Sequence, residues 1–146
     1  MPMLTPYTVV DKDLLTQNIE EYAELAQAHG KSLRPHIKTH KCPEIAKLQR
    51  NAGACGITVA TTLEAEAFFQ AGFQDIFVAC PQVSRGAMDR ISSLLAKDAR
   101  LIVGFDHPDQ VPRLNKAALA VSKELELRLE VDCGHHRCGL SSLNEI

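Results

Sequence analysis

The sequence of 146 residues contains no tryptophan, and only 5% of its residues are aromatic. No apolar run approaches the roughly 18 residues that a membrane-spanning helix requires, and the start of the chain does not show the basic-then-apolar layout of a signal peptide. Neither charge dominates, because 16 Lys and Arg stand against 18 Asp and Glu. We therefore expect a cytoplasmic protein that binds neither nucleic acid nor a membrane.

Cysteine is present but not in the pattern of a secreted domain. Five cysteines occur in a chain without an export signal, so reduced thiols are expected rather than a disulfide framework. Hydrophobic residues make up 45% and charged residues 23% of the sequence, which is typical of a globular domain. No low-complexity tract or compositional break marks a boundary, and a single domain is expected.

Short apolar segments alternate with segments of helical periodicity. Successive apolar segments lie 19 to 26 residues apart, the length of one strand plus one helix, so the strands are expected to be parallel. The predicted strands are 33–38, 56–60, 75–80, 101–105 and 125–131. The helices between them have recognisable start signals, namely Asp11, Pro43, Thr61 with Glu64, Ser84 and Asp106. The sequence therefore predicts an α/β fold, with Pro35 as an argument against the first strand.

The last predicted strand has one apolar and one charged face, carried by Leu125, Leu127, Leu129 and Val131 and by Glu126, Arg128, Glu130 and Asp132. A doubly wound sheet covers both faces of an interior strand with helices, whereas a barrel lumen accommodates paired charges. A solvent-facing edge strand explains the charged face nearly as well. A complete eight-stranded barrel takes about 250 residues. If the sheet is such a barrel, the chain holds a little more than half of it.

Three cations and two histidines lie between Arg34 and Lys41, at the end of the first predicted strand. Parallel α/β folds bind their ligands at the carboxyl ends of their strands. Burial and the flanking charges of Arg34 and Lys41 are expected to lower the pKa of Lys38, because both oppose the ammonium form. A neutral amine attacks carbonyl groups, so Lys38 is a candidate Schiff-base former. The alternative is a basic loop that binds solvent or surface carboxylates.

Two clusters of histidine and cysteine raise the alternative of a zinc site: His36, His40 and Cys42, and Cys133, His135, His136 and Cys138. An extended stretch around Pro35 does not place His36 and His40 on one face. Cysteine and histidine also suit a small buried loop near the end of the chain. No metal ligand is predicted from either cluster.

The segment from Leu33 to Lys41, LRPHIKTHK, resembles the cofactor-lysine segment of the D-threonine aldolase and D-serine dehydratase family. The amino-terminal domain of that family is of the alanine racemase type. Similar stretches follow in the family's order: Thr5-Pro6 with Val9-Val10-Asp11 and Asn18-Ile19, then Ala52 to Thr61 with Glu64-Ala65-Glu66, and finally EVDCGHHRCGL from Glu130 to Leu140. The resemblance implies the amino-terminal part of an eight-stranded β/α barrel.

The resemblance further implies an enzyme that uses pyridoxal phosphate (PLP), a lyase acting on D-3-hydroxy amino acids as an aldolase or a dehydratase. Lys38 would hold PLP as a Schiff base. Arg137 would donate hydrogen bonds to the phenolic oxygen of the pyridine ring, a role that suits a permanently charged guanidinium; the alternative is an ion pair with Asp132 or Glu130. His36 would pack under the cofactor or bond to Glu130.

Other features of the family are expected outside these residues. Residues 1–146 would form a partial PLP-binding barrel domain, without the carboxyl-terminal half of the barrel and without the second, β domain. That domain supplies the ligands of a divalent metal, zinc or manganese, and the full-length protein would be a homodimer. A PLP-binding carrier or regulator without turnover, an amino-acid racemase and an inactive fragment remain alternatives. In an unclosed sheet, strand 125–131 would be an edge prone to pairing with other chains.

Overall fold

The computed structural model describes residues 5–142. Its centre is a sheet of four strands in the order β1-β2-β3-β4, and every neighbouring pair is parallel. The strands are β1 (Ile57–Val59), β2 (Asp75–Val78), β3 (Arg100–Phe105) and β4 (Glu126–Leu129). The helices are α1 (Lys12–Ala28), α2 (Pro43–Asn51), α3 (Thr62–Gln70), α4 (Arg85–Ala96) and α5 (Gln110–Leu119). The predicted β/α alternation and parallel sheet are confirmed.

The hydrophobic core lies between the sheet and the helices that follow its strands. Alternate residues of β1, β2 and β3 point into it and are almost completely buried: Ile57, Val59, Ile76, Val78, Leu101 and Val103. Helices α4 and α5 contribute Ile91, Leu94 and Leu114 from the other side. None of the helices in the described range is long and apolar enough to cross a membrane.

Most helix starts follow the predicted capping residues. Asp11 accepts hydrogen bonds from two backbone N–H groups of α1, Ser84 accepts one from α4, and Thr61 forms a reciprocal capping box with Glu64 on α3. The prediction that Asp106 caps the next helix is wrong. Helix α5 begins later, and the Asp106 carboxylate instead accepts hydrogen bonds from the side chain of Gln110 and from the backbone of the loop after β4.

The first predicted strand forms only in part. Residues 33–36 are joined to β1 by a single parallel bridge between His36 and Thr58, where the Thr58 N–H donates to the Pro35 carbonyl at 2.8 Å. Ile37–Thr39 then forms a 3-10 turn, so the prediction of a strand to Lys38 is wrong. Pro35 has no N–H with which to extend a ladder, and the N–H groups after the turn bond back to the Ile37 carbonyl instead.

Arg34 belongs to an ion-pair network at the amino edge of the sheet. Its Nη1 lies 2.6 Å from one carboxylate oxygen of Asp75, and Nη1 of Arg100 lies 2.6 Å from the other. Arg100 also pairs with Glu126 at 3.2 Å. Asp75, Arg100 and Glu126 each open a strand, so the network lies opposite the ligand-binding edge. The prediction that Arg34 flanks Lys38 is therefore wrong, because its long side chain reaches past Gly56, where a Cβ would collide with the guanidinium.

Candidate active site

Lys38 lies in the 3-10 turn after the extended segment, at the carboxyl edge of the sheet. Its side chain is exposed, and within residues 5–142 its amine has no hydrogen bond and no ion pair. The burial expected to desolvate this amine is thus not supplied by the described residues. The described residues instead place the Lys38 amine at the edge of the sheet where parallel α/β folds bind their ligands.

Lys41, three residues further on, is paired. Its Nζ lies 2.9 Å from Oε1 of Glu64, a carboxylate whose side chain is only 14% exposed. The other oxygen, Oε2, accepts hydrogen bonds from the backbone N–H groups of Ala60 (2.7 Å) and Thr61 (3.3 Å). Burial raises the pKa of Glu64, but the hydrogen bonds from Lys41 and from these two N–H groups outweigh it and hold the pKa below its ordinary value. Glu64 is therefore a fixed negative charge at this edge.

His36 lies directly beside Lys38. Its Nδ1 accepts a hydrogen bond from the Lys38 backbone N–H at 3.3 Å, and its ring also bonds to the backbone of Thr58. Burial, followed by the positive charge of Lys38, lowers the pKa of His36, and the negative charge of Glu64 only partly offsets this. The imidazole is therefore neutral at pH 7. The predicted bond from His36 to Glu130 is not among its contacts in the described part of the chain.

His40 closes the same turn. Its Nδ1 accepts a hydrogen bond from the backbone N–H of Cys42 at 3.0 Å, and burial lowers the pKa of its imidazole. His40 and Thr39 line an apolar groove of about 530 Å³ between α1 and α2, which Lys38 does not line. The histidine therefore anchors the loop that carries Lys38 against α2 rather than facing the carboxyl edge.

Arg137 lies in the loop that follows β4. Asp132 organises this loop by accepting hydrogen bonds at 2.9 to 3.1 Å from the backbone N–H groups of Gly134, His135 and His136, and these bonds lower the pKa of its carboxyl group. Arg137 itself is exposed and makes no hydrogen bond or ion pair within residues 5–142. The alternative of an ion pair with Asp132 or Glu130 is thus not realised there.

Lys38 and Arg137 share the carboxyl edge of the sheet but lie at its two ends. Lys38 follows the segment beside β1, and Arg137 follows β4. Four strand spacings of about 4.8 Å each separate those positions along the sheet. The two cations therefore face a common space only where the sheet curves, as a barrel does.

Three ligand atoms gather past the ends of β3 and β4. One atom each from Asp106, Glu130 and Cys138 lies within 4.8 Å of the other two. This group differs from both histidine and cysteine clusters that the sequence suggested. Asp106 already accepts hydrogen bonds from Gln110 (2.8 Å) and Gly139 (3.3 Å). The hydrogen bond from Gly139 fastens the loop after β4 to the end of β3, and this contact explains why the three side chains lie close together.

Comparison with known proteins identifies the fold family. Residues 10–146 match the family model described as alanine racemase, N-terminal domain. The chain belongs to this family. Its sheet with intervening helices is accordingly the amino-terminal part of a β/α barrel of the alanine racemase type, as the motifs from Leu33 to Lys41 and from Glu130 to Leu140 predicted.

Individual relatives in this family are aldolases and dehydratases. The chain is 34% identical over 139 residues to the 3-hydroxy-D-aspartate aldolase of Paracoccus denitrificans and 34% identical over 137 residues to the D-threonine aldolase of an Arthrobacter species. The D-serine dehydratase of Dictyostelium discoideum is 32% identical over 143 residues. The alignments cover 92 to 94% of this chain but only 36% of each relative. The chain thus spans about a third of their length.

Solved structures give the same picture. The D-threonine aldolase from Filomicrobium marinum superposes with a TM-score of 0.88 at 32% identity, covering 92% of this chain and 36% of that one. The D-threo-3-hydroxyaspartate dehydratase from Delftia sp. HT23 gives 0.86 at 33% identity, with 95% and 36% covered. The alanine racemase from E. faecalis, at 22% identity and a TM-score of 0.75, shares the fold.

The residues present fit a cofactor that carries an aldehyde and an anionic oxygen. A primary amine such as that of Lys38 is the group that forms a covalent bond to an aldehyde. The guanidinium of Arg137, which has no partner in the part of the chain that the structure describes, suits the oxygen. Sequence reasoning assigned both residues but missed Glu64 as part of this edge, since its capping-box spacing already explained it. The signal was the basic residue Lys41 at the end of the preceding turn, which needs a counter-charge.

Proposed function

We propose that these residues form the cofactor-binding part of a PLP-dependent lyase for D-3-hydroxy amino acids, with Lys38 as the covalent anchor. One observation carries this proposal. Of the three cations between Arg34 and Lys41, two are paired with acids, at Asp75 and Glu64, while the amine of Lys38 has no partner among residues 5–142. In a basic loop that merely bound surface carboxylates, all three cations would be expected to have acidic partners.

The substrate class follows from what the relatives have in common. Their names specify D-threonine, D-serine and 3-hydroxy-D-aspartate, each of which carries a hydroxyl group on the carbon next to the α carbon. When bound, PLP supplies an electron sink for the bond that breaks at the α carbon. Lys38 would hold the cofactor through its amine, and in the dehydratase course the same amine would accept the α proton of the substrate. Arg137 would donate hydrogen bonds to the phenolic oxygen of the cofactor, and neutral His36 would support the turn that carries Lys38.

Three further features belong to the same proposal. A divalent metal, zinc or manganese, would bind through ligands outside these 146 residues; one related dehydratase structure is described as a metal-free form. The full-length protein would be a homodimer, and it would act in the cytoplasm.

The test of the anchor is chemical. Incubating the protein with PLP and reducing the mixture with borohydride should attach the cofactor to Lys38, which peptide mass spectrometry locates. Lys38→Ala should lose the label, and Lys41→Ala should retain most of it because that amine is engaged by Glu64. Lys31→Ala, at an exposed lysine after α1, is the matched control. Labelling of a lysine other than Lys38 would refute the proposal.

The reaction is distinguished by its products. With D-threonine an aldolase releases glycine and acetaldehyde, whereas a dehydratase acting on D-serine releases ammonia and a keto acid. Formation of either pair by a form of the protein that spans the full length of these relatives supports the lyase. Labelled Lys38 without turnover of either amino acid would favour the carrier.

A further inference from the structure

A salt bridge fastens the Lys38 turn (residues 37–41) to the junction of β1 and α3. Nζ of Lys41 lies 2.9 Å from Oε1 of Glu64. The other carboxylate oxygen accepts hydrogen bonds from the backbone N–H groups of Ala60 and Thr61, directly after β1. Three donors therefore bind one carboxylate, and charge-assisted hydrogen bonds of this kind are strong. Through Lys41 they hold the end of the turn in place.

The backbone at the end of this turn depends on such a contact. The N–H groups of His40 and Lys41 both donate to the Ile37 carbonyl, at 3.2 and 2.8 Å, and Lys41 has a φ of 48°. This left-handed conformation is uncommon for a residue with a Cβ, and it persists where the surrounding structure holds it. The salt bridge to Glu64 holds the residue that closes the turn.

The salt bridge also places two opposite charges near the Lys38 amine. Burial and then the positive charge of Lys38 lower the pKa of His36, whereas the negative charge of Glu64 raises it. One imidazole thus lies within electrostatic reach of both charges. Lys41 contacts Glu64 directly, so its positive charge belongs to the same neighbourhood.

The other charged and titratable groups around the turn are engaged elsewhere. Arg34 is paired at the amino edge of the sheet, and His40 lines the groove between α1 and α2. On α2, the carboxylate of Glu44 accepts a hydrogen bond from a thiol at the start of its own helix, and β1 carries no charged residue. Among the described residues, the two partners of the salt bridge are therefore the charges that cancel beside the turn.

We propose that Lys41 and Glu64 are positioning residues for Lys38, whose ion pair fixes the turn and balances the charge beside the amine. The inference rests on the proposed function, in which Lys38 is the anchor. Only a neutral amine attacks an aldehyde, so the charge beside it decides the pH at which the attack is half-maximal. An unbalanced positive charge favours loss of the proton, and an unbalanced negative charge opposes it.

Removing the two partners singly should therefore have opposite effects. Acetic anhydride also reacts only with the neutral amine, and mass spectrometry of the Lys38 peptide across a pH series gives the midpoint of this reaction without PLP. Glu64→Gln leaves the Lys41 cation unbalanced and should lower that midpoint by about half a pH unit. Lys41→Met leaves an ionised carboxylate and should raise it by about the same amount. The double variant should return to the midpoint of the parent.

The experiment uses the protein in a form that spans the full length of its relatives, and matched variants separate charge from structure. Glu64→Gln keeps an acceptor for the capping box, whereas Thr61→Ala removes the hydroxyl of the cap and keeps both charges, so the latter should not move the midpoint. Lys41→Arg keeps the cation and should behave as the parent. Lys31→Met, at an exposed lysine outside the site, is the control for Lys41→Met. Circular dichroism checks the fold of each variant.

The outcomes distinguish this inference from the proposed function. If PLP and borohydride label Lys38 in the parent, but the two single variants move the acetylation midpoint in the same direction or not at all, the anchor stands and the positioning role is wrong. A merely structural salt bridge would give that result, because either substitution loosens the same turn. If PLP labels a different lysine, the proposed function fails, and the positioning role fails with it even where the midpoints move in opposite directions.

Discussion

The three cations between Arg34 and Lys41 differ in whether a carboxylate neutralises them. Arg34 and Lys41 each have a carboxylate partner, and Lys38 has none in the described part of the chain. The consequence for its neighbour His36 is measurable. Because the imidazole is partly buried and faces both the amine of Lys38 and the carboxylate of Glu64, its protonation reports where those two charges lie.

The titration of His36, followed by NMR of its ring protons, should give a pKa below 6.5. Lys38→Ala removes a repelling positive charge, so the pKa of His36 should rise. Glu64→Gln removes an attracting negative charge, so it should fall further. Because the unfolded chain takes up this proton more readily than the folded one, protonation of His36 should also reduce stability as the pH falls through 6.5 towards the lowered pKa.

The control for this titration is Lys31→Ala, which removes a lysine outside the site and should leave the pKa of His36 unchanged. If Lys38→Ala also left it unchanged, the Lys38 amine would not lie near the imidazole, and the arrangement at the carboxyl edge would be wrong.

At the scale of secondary-structure elements, local signals predicted the helices well and the first strand poorly. The caps at Asp11, Thr61 and Ser84 depend on contacts within four residues, which a sequence displays directly. The strand at 33–38 depended on hydrogen bonds to a distant partner, β1. Pro35 in the sequence was a warning against this strand, but the alternation of apolar residues does not show that the chain turns away at Ile37, directly after the one bridge at His36. The prediction for Asp106 failed for a similar reason, because its carboxylate accepts a hydrogen bond from Gly139, more than thirty residues later in the chain.

The capping box of α3 gives a prediction for one element. Thr61→Ala removes the acceptor for the Glu64 N–H, which lies at 3.2 Å, and should lower the free energy of unfolding by about 1 kcal/mol in urea titrations. Thr61→Ser keeps the hydroxyl and should cost only a small part of that. Asp109→Ala is the matched control, because Asp109 precedes α5 without making a side-chain cap bond. Equal losses at positions 61 and 109 would contradict the role of the cap.

Across the whole molecule, the two edges of the sheet have different tasks. The amino edge carries the network of Arg34, Asp75, Arg100 and Glu126, which ties the extended segment to all the later strands. The carboxyl edge carries Lys38 and Arg137. Arg34, Lys38 and Lys41 are close in sequence but lie at different edges of the sheet. Sequence spacing alone did not show that the side chain of Arg34 points back to Asp75 at the amino edge. In β/α barrels the amino-terminal face generally serves stability, and the carboxyl-terminal face serves chemistry.

This division predicts opposite effects for substitutions at the two edges. Asp75→Asn leaves Arg34 and Arg100 without their common counter-charge; because the Asp75 and Arg34 side chains are only 22% and 18% exposed, the free energy of unfolding should fall by about 2 kcal/mol. Arg100→Gln should lower the free energy of unfolding much less, since that side chain is 60% exposed and its ion pairs are screened by solvent. Under conditions where both variants remain folded, borohydride labelling of Lys38 with PLP should proceed as in the parent, because the network lies at the far edge. Lys38→Ala should do the reverse, abolishing the label with little change in the urea midpoint. A parallel loss of stability and labelling in Asp75→Asn would show that the two edges are coupled through the segment 33–36.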